Sequence, residues 1–125
     1  MLKRIALPIL GLLALAGAGL AVGFHNRTPD TPIRTVRMTM RSYAFNETNP
    51  TFAFEPGERI HFIVTNGEST NVLHNFRIVG MNIDCGPPMK PGETREVTVT
   101  MPAAGEFAYT CCTHPGMGGK MVVKK

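Results

Sequence analysis

Phe107-Ala108-Tyr109-Thr110-Cys111-Cys112-Thr113-His114-Pro115-Gly116-Met117 begins as a strand and ends as a tight loop. Its first half alternates, which puts Phe107, Tyr109 and Cys111 on one inward face. The loop then offers His114 and Met117 at the spacing Cys-x2-His-x2-Met, and His74 lies 37 residues upstream of Cys111. Taken singly, these residues mean little: a lone Cys is usually a small buried hydrophobe, and a lone Met is usually core. Together, a thiolate, two imidazoles and a thioether form the donor set of a trigonal copper site with a weak axial Met. Soft sulfur favours Cu(I) and imidazole also suits Cu(II), so one cage can serve both oxidation states. Pro115 fixes its own φ and stiffens the loop. The expected ligands are therefore His74, Cys111, His114 and Met117, with one copper ion. Met121 competes with Met117 for the axial place, following Gly118-Gly119-Lys120 at the start of a Met-Val-Val strand.

Outward from this loop the chain reads as all-β, with short alternating runs separated by turn residues. Val36, Met38 and Met40 alternate with Arg37, Thr39 and Arg41 in a half-buried first strand. Thr51 to Phe54 ends at Pro56-Gly57, and Arg59 to Thr65 ends at Asn66-Gly67. His74 to Val79 is read as the next strand, followed by a loop from Gly80 to Gly92. Arg95 to Met101, Phe107 to Cys111 and Met121 to Val123 complete a sandwich of seven or eight strands. His74 is expected to enter from a neighbouring strand, just after the Glu68-Ser69-Thr70-Asn71 loop. His61 and His25 read as surface residues.

The 125 residues hold one ordinary domain, and the start of the chain is not part of it. Lys3 and Arg4 precede an uncharged apolar run from Ile5 to Val22, the pattern of an export signal. Cleavage at Ala16-Gly17-Ala18 or Ala21-Val22-Gly23 and retention as an anchor are both compatible with it, since a spanning helix needs about 20 apolar residues. The expected organisation is a signal or anchor helix over 1–23, a polar linker over 24–32 and the β domain over 33–125. Either fate of the leader exports the domain, to the periplasm or another extracytoplasmic space. The formal charge is +4, and setting Lys3 and Arg4 aside leaves +2. With no basic run beyond Lys124-Lys125, nucleic acid is not expected as a partner.

Three stretches carry a resemblance: Phe54-Glu55-Pro56-Gly57-Glu58-Arg59-Ile60-His61-Phe62-Ile63-Val64-Thr65-Asn66, then His74-Asn75-Phe76, then Tyr109 to Met117. They resemble the small cupredoxins of the plastocyanin and amicyanin type, over essentially all of 33–125. The resemblance implies a Greek-key sandwich with mononuclear type 1 copper near one end, held by His74, Cys111, His114 and Met117. It also implies that Asn75 sits just outside the ligands and helps to position the thiolate.

Cysteine usage departs from that pattern. Cys112 follows Cys111 directly, so its side chain points to the opposite face, and adjacent cysteines do not fit a dinuclear copper loop. In an exported protein a Cys85–Cys112 disulfide is the economical reading. Two separate thiols, or a Cys112 that captures copper transiently, are the alternatives.

The expected function is a one-electron carrier, a monomer and not an enzyme, because protein groups fill all four ligand positions. Its partners are expected to be redox proteins (a cytochrome, oxidase or dehydrogenase) docking near His114. Extracytoplasmic copper handling is the second reading, motivated by eight methionines and two extra cysteines. A catalytic copper with an open position is the third, and Met117 weighs against it.

Overall fold

The computed structural model describes residues 32–125. The leader expected over 1–23 and the linker up to Thr31 lie outside the described residues. Eight strands follow: β1 (Ile33–Arg41), β2 (Ala44–Phe45), β3 (Phe52–Phe54), β4 (Arg59–Asn66), β5 (Arg77–Ile78), β6 (Thr94–Thr100), β7 (Gly105–Thr110) and β8 (Gly118–Val123). They form two four-stranded sheets, ordered β2-β1-β4-β6 and β3-β8-β7-β5. Every connection from β2 to β7 crosses from one sheet to the other, which builds the expected Greek-key sandwich. Both sheets are mixed, since β1 pairs parallel with β4 and β3 parallel with β8.

Period-two patterning decides which faces meet. Along β4, Ile60, Phe62, Val64 and Asn66 are buried and their neighbours are not. Val36, Met38 and Met40 do the same on β1, so the aligned parallel pair presents one apolar face. The opposing sheet supplies Phe54, Ile78, Tyr109, Met121 and Val123. Aromatic rings join the two layers, with Phe62 meeting Phe54 at 6.0 Å and Phe76 at 5.9 Å between centroids. The Tyr109 hydroxyl donates to the Pro50 carbonyl, and burial raises its pKa to about 12. On the outer face of β4, His61 meets Glu96 at 2.9 Å, as a surface histidine does.

The expected strand from His74 to Val79 is a correction: only Arg77–Ile78 is strand. His74 instead makes an isolated bridge with Met89. The Asn75 amide, which a ladder would have used, points at the Cys111 sulfur. Backbone groups spent on the site are lost to the sheet. The short β2, which no alternation announced, pairs with the end of β1 across a two-residue turn.

Candidate metal centre

β1, β4 and β7 all end at one pole of the sandwich, and the loops that leave them carry the site. Cys111 follows β7 by one residue and keeps its inward direction, at 2% exposure. Its amide donates to the Met117 carbonyl at 3.0 Å. The Met117 amide donates in turn to the His114 carbonyl at 3.1 Å. His114-Pro115-Gly116-Met117 is thereby a four-residue turn of type II character: proline at the second place, glycine with φ +86° at the third. Only glycine takes that φ without steric cost. Pro-Gly is thus the local reason that a thiolate, an imidazole and a methionine return to one place.

His74 reaches the same pole from a segment tied down by Asn66. The Asn66 side chain, wholly buried at the end of the inward row of β4, donates to the carbonyls of Val72 and Met89, each at 2.9 Å. Its Oδ1 accepts from the Glu68 amide at 3.0 Å. The hairpin-like loop between β4 and His74 is held from inside by this one amide.

The three donor atoms converge. His74 Nδ1 and His114 Nδ1 are 3.1 Å apart, and Cys111 Sγ lies 3.8 Å from the first and 3.7 Å from the second. A point equidistant from all three corners of that triangle lies about 2.1 Å from each, within the roughly 2.0–2.3 Å that a first-row metal takes to imidazole nitrogen and thiolate sulfur. Two imidazoles and one thiolate at these separations fit a single type 1 copper. Met117 is buried and closes the same turn through its backbone. Met121 is buried too, but within β8, where it pairs with Phe52 and Phe107. Phe107 is four residues back along β7 from Cys111, roughly 13 Å of strand.

Groups around the donors set their chemical state. Glu68, with its side chain only 10% exposed, accepts a hydrogen bond from His74 Nε2 at 2.9 Å. An ionised carboxylate cannot donate, so Nε2 carries the proton and the Nδ1 lone pair faces the other donors. That hydrogen bond from His74 holds the Glu68 carboxyl below its ordinary pKa, against burial, and the Ser42 amide and the Arg41 charge add to it. Burial and the nearby His74 lower the pKa of His114, with Glu68 opposing, which favours the neutral ring. Cys111 Sγ receives the Asn75 amide at 3.4 Å and has the Thr113 hydroxyl 3.0 Å away. The Asn75 side chain accepts from the Cys112 amide at 2.6 Å and so locks the residue after the thiolate.

Cys85 and Cys112 form a disulfide, with Cα atoms 6.1 Å apart, which leaves Cys111 as the free cysteine. It ties the outer side of the copper loop to the long Gly80–Gly92 segment. Sequence reasoning missed Glu68, Asn66, Thr113 and the Ser42–Tyr43 turn. A carboxylate six residues before a histidine carries no periodic signal, and a two-residue strand carries none either.

No family model matches the chain, and no curated protein sequence matches it. Solved structures do. Auracyanin B superposes with a TM-score of 0.59 at 20% identity, over 74% of this chain and 89% of that one. Dithionite-reduced auracyanin from Roseiflexus castenholzii gives 0.60 at 21%, over 73% and 97%. The copper-containing nitrite reductase of Thermus scotoductus gives 0.61 at 24%, over 74% of this chain but 28% of the enzyme. At these identities the likeness establishes the fold, and the donor geometry speaks for the metal.

Proposed function

We infer that this chain, a cupredoxin by fold, is a one-electron carrier with a mononuclear type 1 copper held by His74, Cys111, His114 and, axially, Met117. The observation that carries the reading is the triangle of His74 Nδ1, His114 Nδ1 and Cys111 Sγ, with sides of 3.1, 3.7 and 3.8 Å. Bound there, copper supplies a one-electron couple. The protein supplies the rest. Glu68 fixes the His74 tautomer, Asn75 holds the sulfur from one side, and the disulfide and the Pro-Gly turn keep the loop from opening. A site fixed in this way changes little between oxidation states, which is what fast electron exchange requires.

The chain spans nearly the full length of the two auracyanins, whereas it matches a minor part of the nitrite reductase, and this favours a self-contained carrier over an enzyme. Copper handling loses its motive, since Cys85 and Cys112 are joined to each other and Met38, Met40, Met101 and Met121 are buried in the core. The carrier works outside the cytoplasm, soluble or tethered through residues 5–22. It exchanges electrons with a redox protein, a cytochrome, oxidase or dehydrogenase, that docks near His114. His114 is half-buried and followed by exposed Pro115 and Gly116, and the carbonyl of exposed Leu73 accepts a hydrogen bond from Thr113 next to it, a small surface suited to brief encounters.

The test is the visible and EPR spectrum after addition of one equivalent of Cu(II). An intense blue thiolate-to-copper band with compressed hyperfine splitting is expected, and Cys111→Ser should abolish it while the fold persists. A pale tetragonal signal in the native protein would overturn the reading.

A further inference from the structure

The turn that joins β1 to β2 is unusual in its residues. Arg41 pairs with Ala44, so Ser42 and Tyr43 are the two central residues of a tight hairpin. Both adopt left-handed backbone, with φ +52° and +60°. Turns of this hand are normally built from Asn-Gly or Gly-Gly, because side chains crowd the backbone there. A bulky aromatic residue at such a φ is an outlier that its surroundings must hold in place. Burial in the core does not hold it, since Tyr43 is 59% exposed.

What surrounds the turn is the metal centre. The Ser42 amide donates to Glu68 Oε1 at 2.7 Å, and the same oxygen accepts from His74 Nε2 at 2.9 Å. The Tyr43 ring meets the His114 ring edge-on, with centroids 4.8 Å apart and planes at 81°. It also reaches the His74 ring at 6.2 Å and 86°. Among the described residues, every hydrogen-bond contact of the His114 ring is made through Nδ1, the atom that faces the other donors. The outer side of that ring is therefore oriented by packing against Tyr43. One turn thus touches both imidazoles, the first through a carboxylate and the second through an aromatic edge.

We propose that the Ser42–Tyr43 turn is a clamp that positions both histidine ligands, with Tyr43 the residue that holds the ring of His114. The proposal rests on the copper reading above. Its purpose follows from the geometry: the two Nδ1 atoms belong to loops from different sheets, and the turn is a third element that locks one loop against the other. Tyr43 is a positioning residue, since it acts on the metal only through His114. The left-handed backbone is the cost of pointing that ring back over the site.

The experiment compares Tyr43→Gly and Tyr43→Phe with the native protein, all loaded with Cu(II). Two quantities are read: the frozen-solution EPR spectrum and the rate at which copper is lost to an excess of a strong chelator. The melting temperature of each apoprotein serves as the control. Glycine takes φ near +60° freely, so the Gly apoprotein should melt at or above the native temperature. Its copper hyperfine lines should broaden and its copper loss should quicken by about tenfold, the lower end of what removing an outer support of a ligand costs. The Phe variant keeps the ring and should match the native protein in both. A Gly variant with native spectrum and native copper loss would overturn the clamp and leave the copper reading standing. So would a Gly apoprotein that melts lower with copper loss in proportion, because Tyr43 would then serve the turn alone. Absence of a type 1 spectrum in the native protein would overturn the copper reading itself.

Discussion

At the metal pole, the chain is held by directional and covalent restraints: the Cys85–Cys112 disulfide, the Asn75–Cys112 and Asn66 hydrogen bonds, the Glu68–His74 pair and the Pro115-Gly116 turn. The opposite pole, where β1 and β4 begin and β6 and β8 end, is held by packing. There Phe54 stacks on Phe52, meets Phe62 edge-on and lies under the Arg34 guanidinium, 5.0 Å from the ring centroid. Arg34 also meets Glu58 at 3.1 Å on the surface. Apolar contact is non-directional and adds stability in proportion to area. Hydrogen bonds and a disulfide add less area and far more geometry. A protein that must hold three donor atoms within a few tenths of an ångström needs the second kind at one end only.

This contrast predicts that the two poles can be damaged independently. Phe54→Ala should cost about 3–5 kcal/mol of stability, as large-to-small changes at buried aromatics do, and leave the copper spectrum of the folded protein unchanged. Denaturant unfolding beside the blue band checks both halves, and a shifted spectrum would break the contrast. The double change Cys85→Ser with Cys112→Ser should cost about 3.5 kcal/mol, from a closed loop of 27 residues. It should also broaden the EPR lines, because the copper loop loses its outer tie. Glu68→Gln sharpens the comparison: its amide oxygen can keep the bonds to His74 and Ser42 while the negative charge goes. Stability should change little, and the reduction potential should rise on the order of tens of millivolts, since Cu(II) loses more than Cu(I) when a nearby anion is removed. Voltammetry reads that directly, and an unchanged or lower potential would contradict it. Arg34→Ala should have the smallest effect, below about 1 kcal/mol, because Arg34 is half-exposed and its ion pair is solvated. Thermal melts would show whether the stacking on Phe54 adds more than that.

The sandwich was legible because its signals are local. Alternation in Val36-Met38-Met40 and Ile60-Phe62-Val64 needs no knowledge of the rest of the chain, and those residues are the buried ones. The same holds for Cys111, His114 and Met117, whose spacing and Pro-Gly turn confine them to one loop. The strand expected at His74 failed because its backbone bridges to Met89 and the next amide, of Asn75, turns to the Cys111 sulfur instead of to the sheet.

By itself, then, the sequence determined whatever lies within a few residues: strand faces, turn positions, the donor types and the loop that joins three of them. It also marked Cys85 and Cys112 as a pair by chemistry, without their distance. Only the tertiary structure decided that β1 runs parallel to β4, and that Glu68 meets His74. It also set Tyr43, 31 residues before His74 and 71 before His114, against both imidazoles, with Ser42 bonded to the carboxylate that holds the first. The reason is physical: a contact between distant segments depends on how whole sheets pack and cross, and no short window of side chains encodes that.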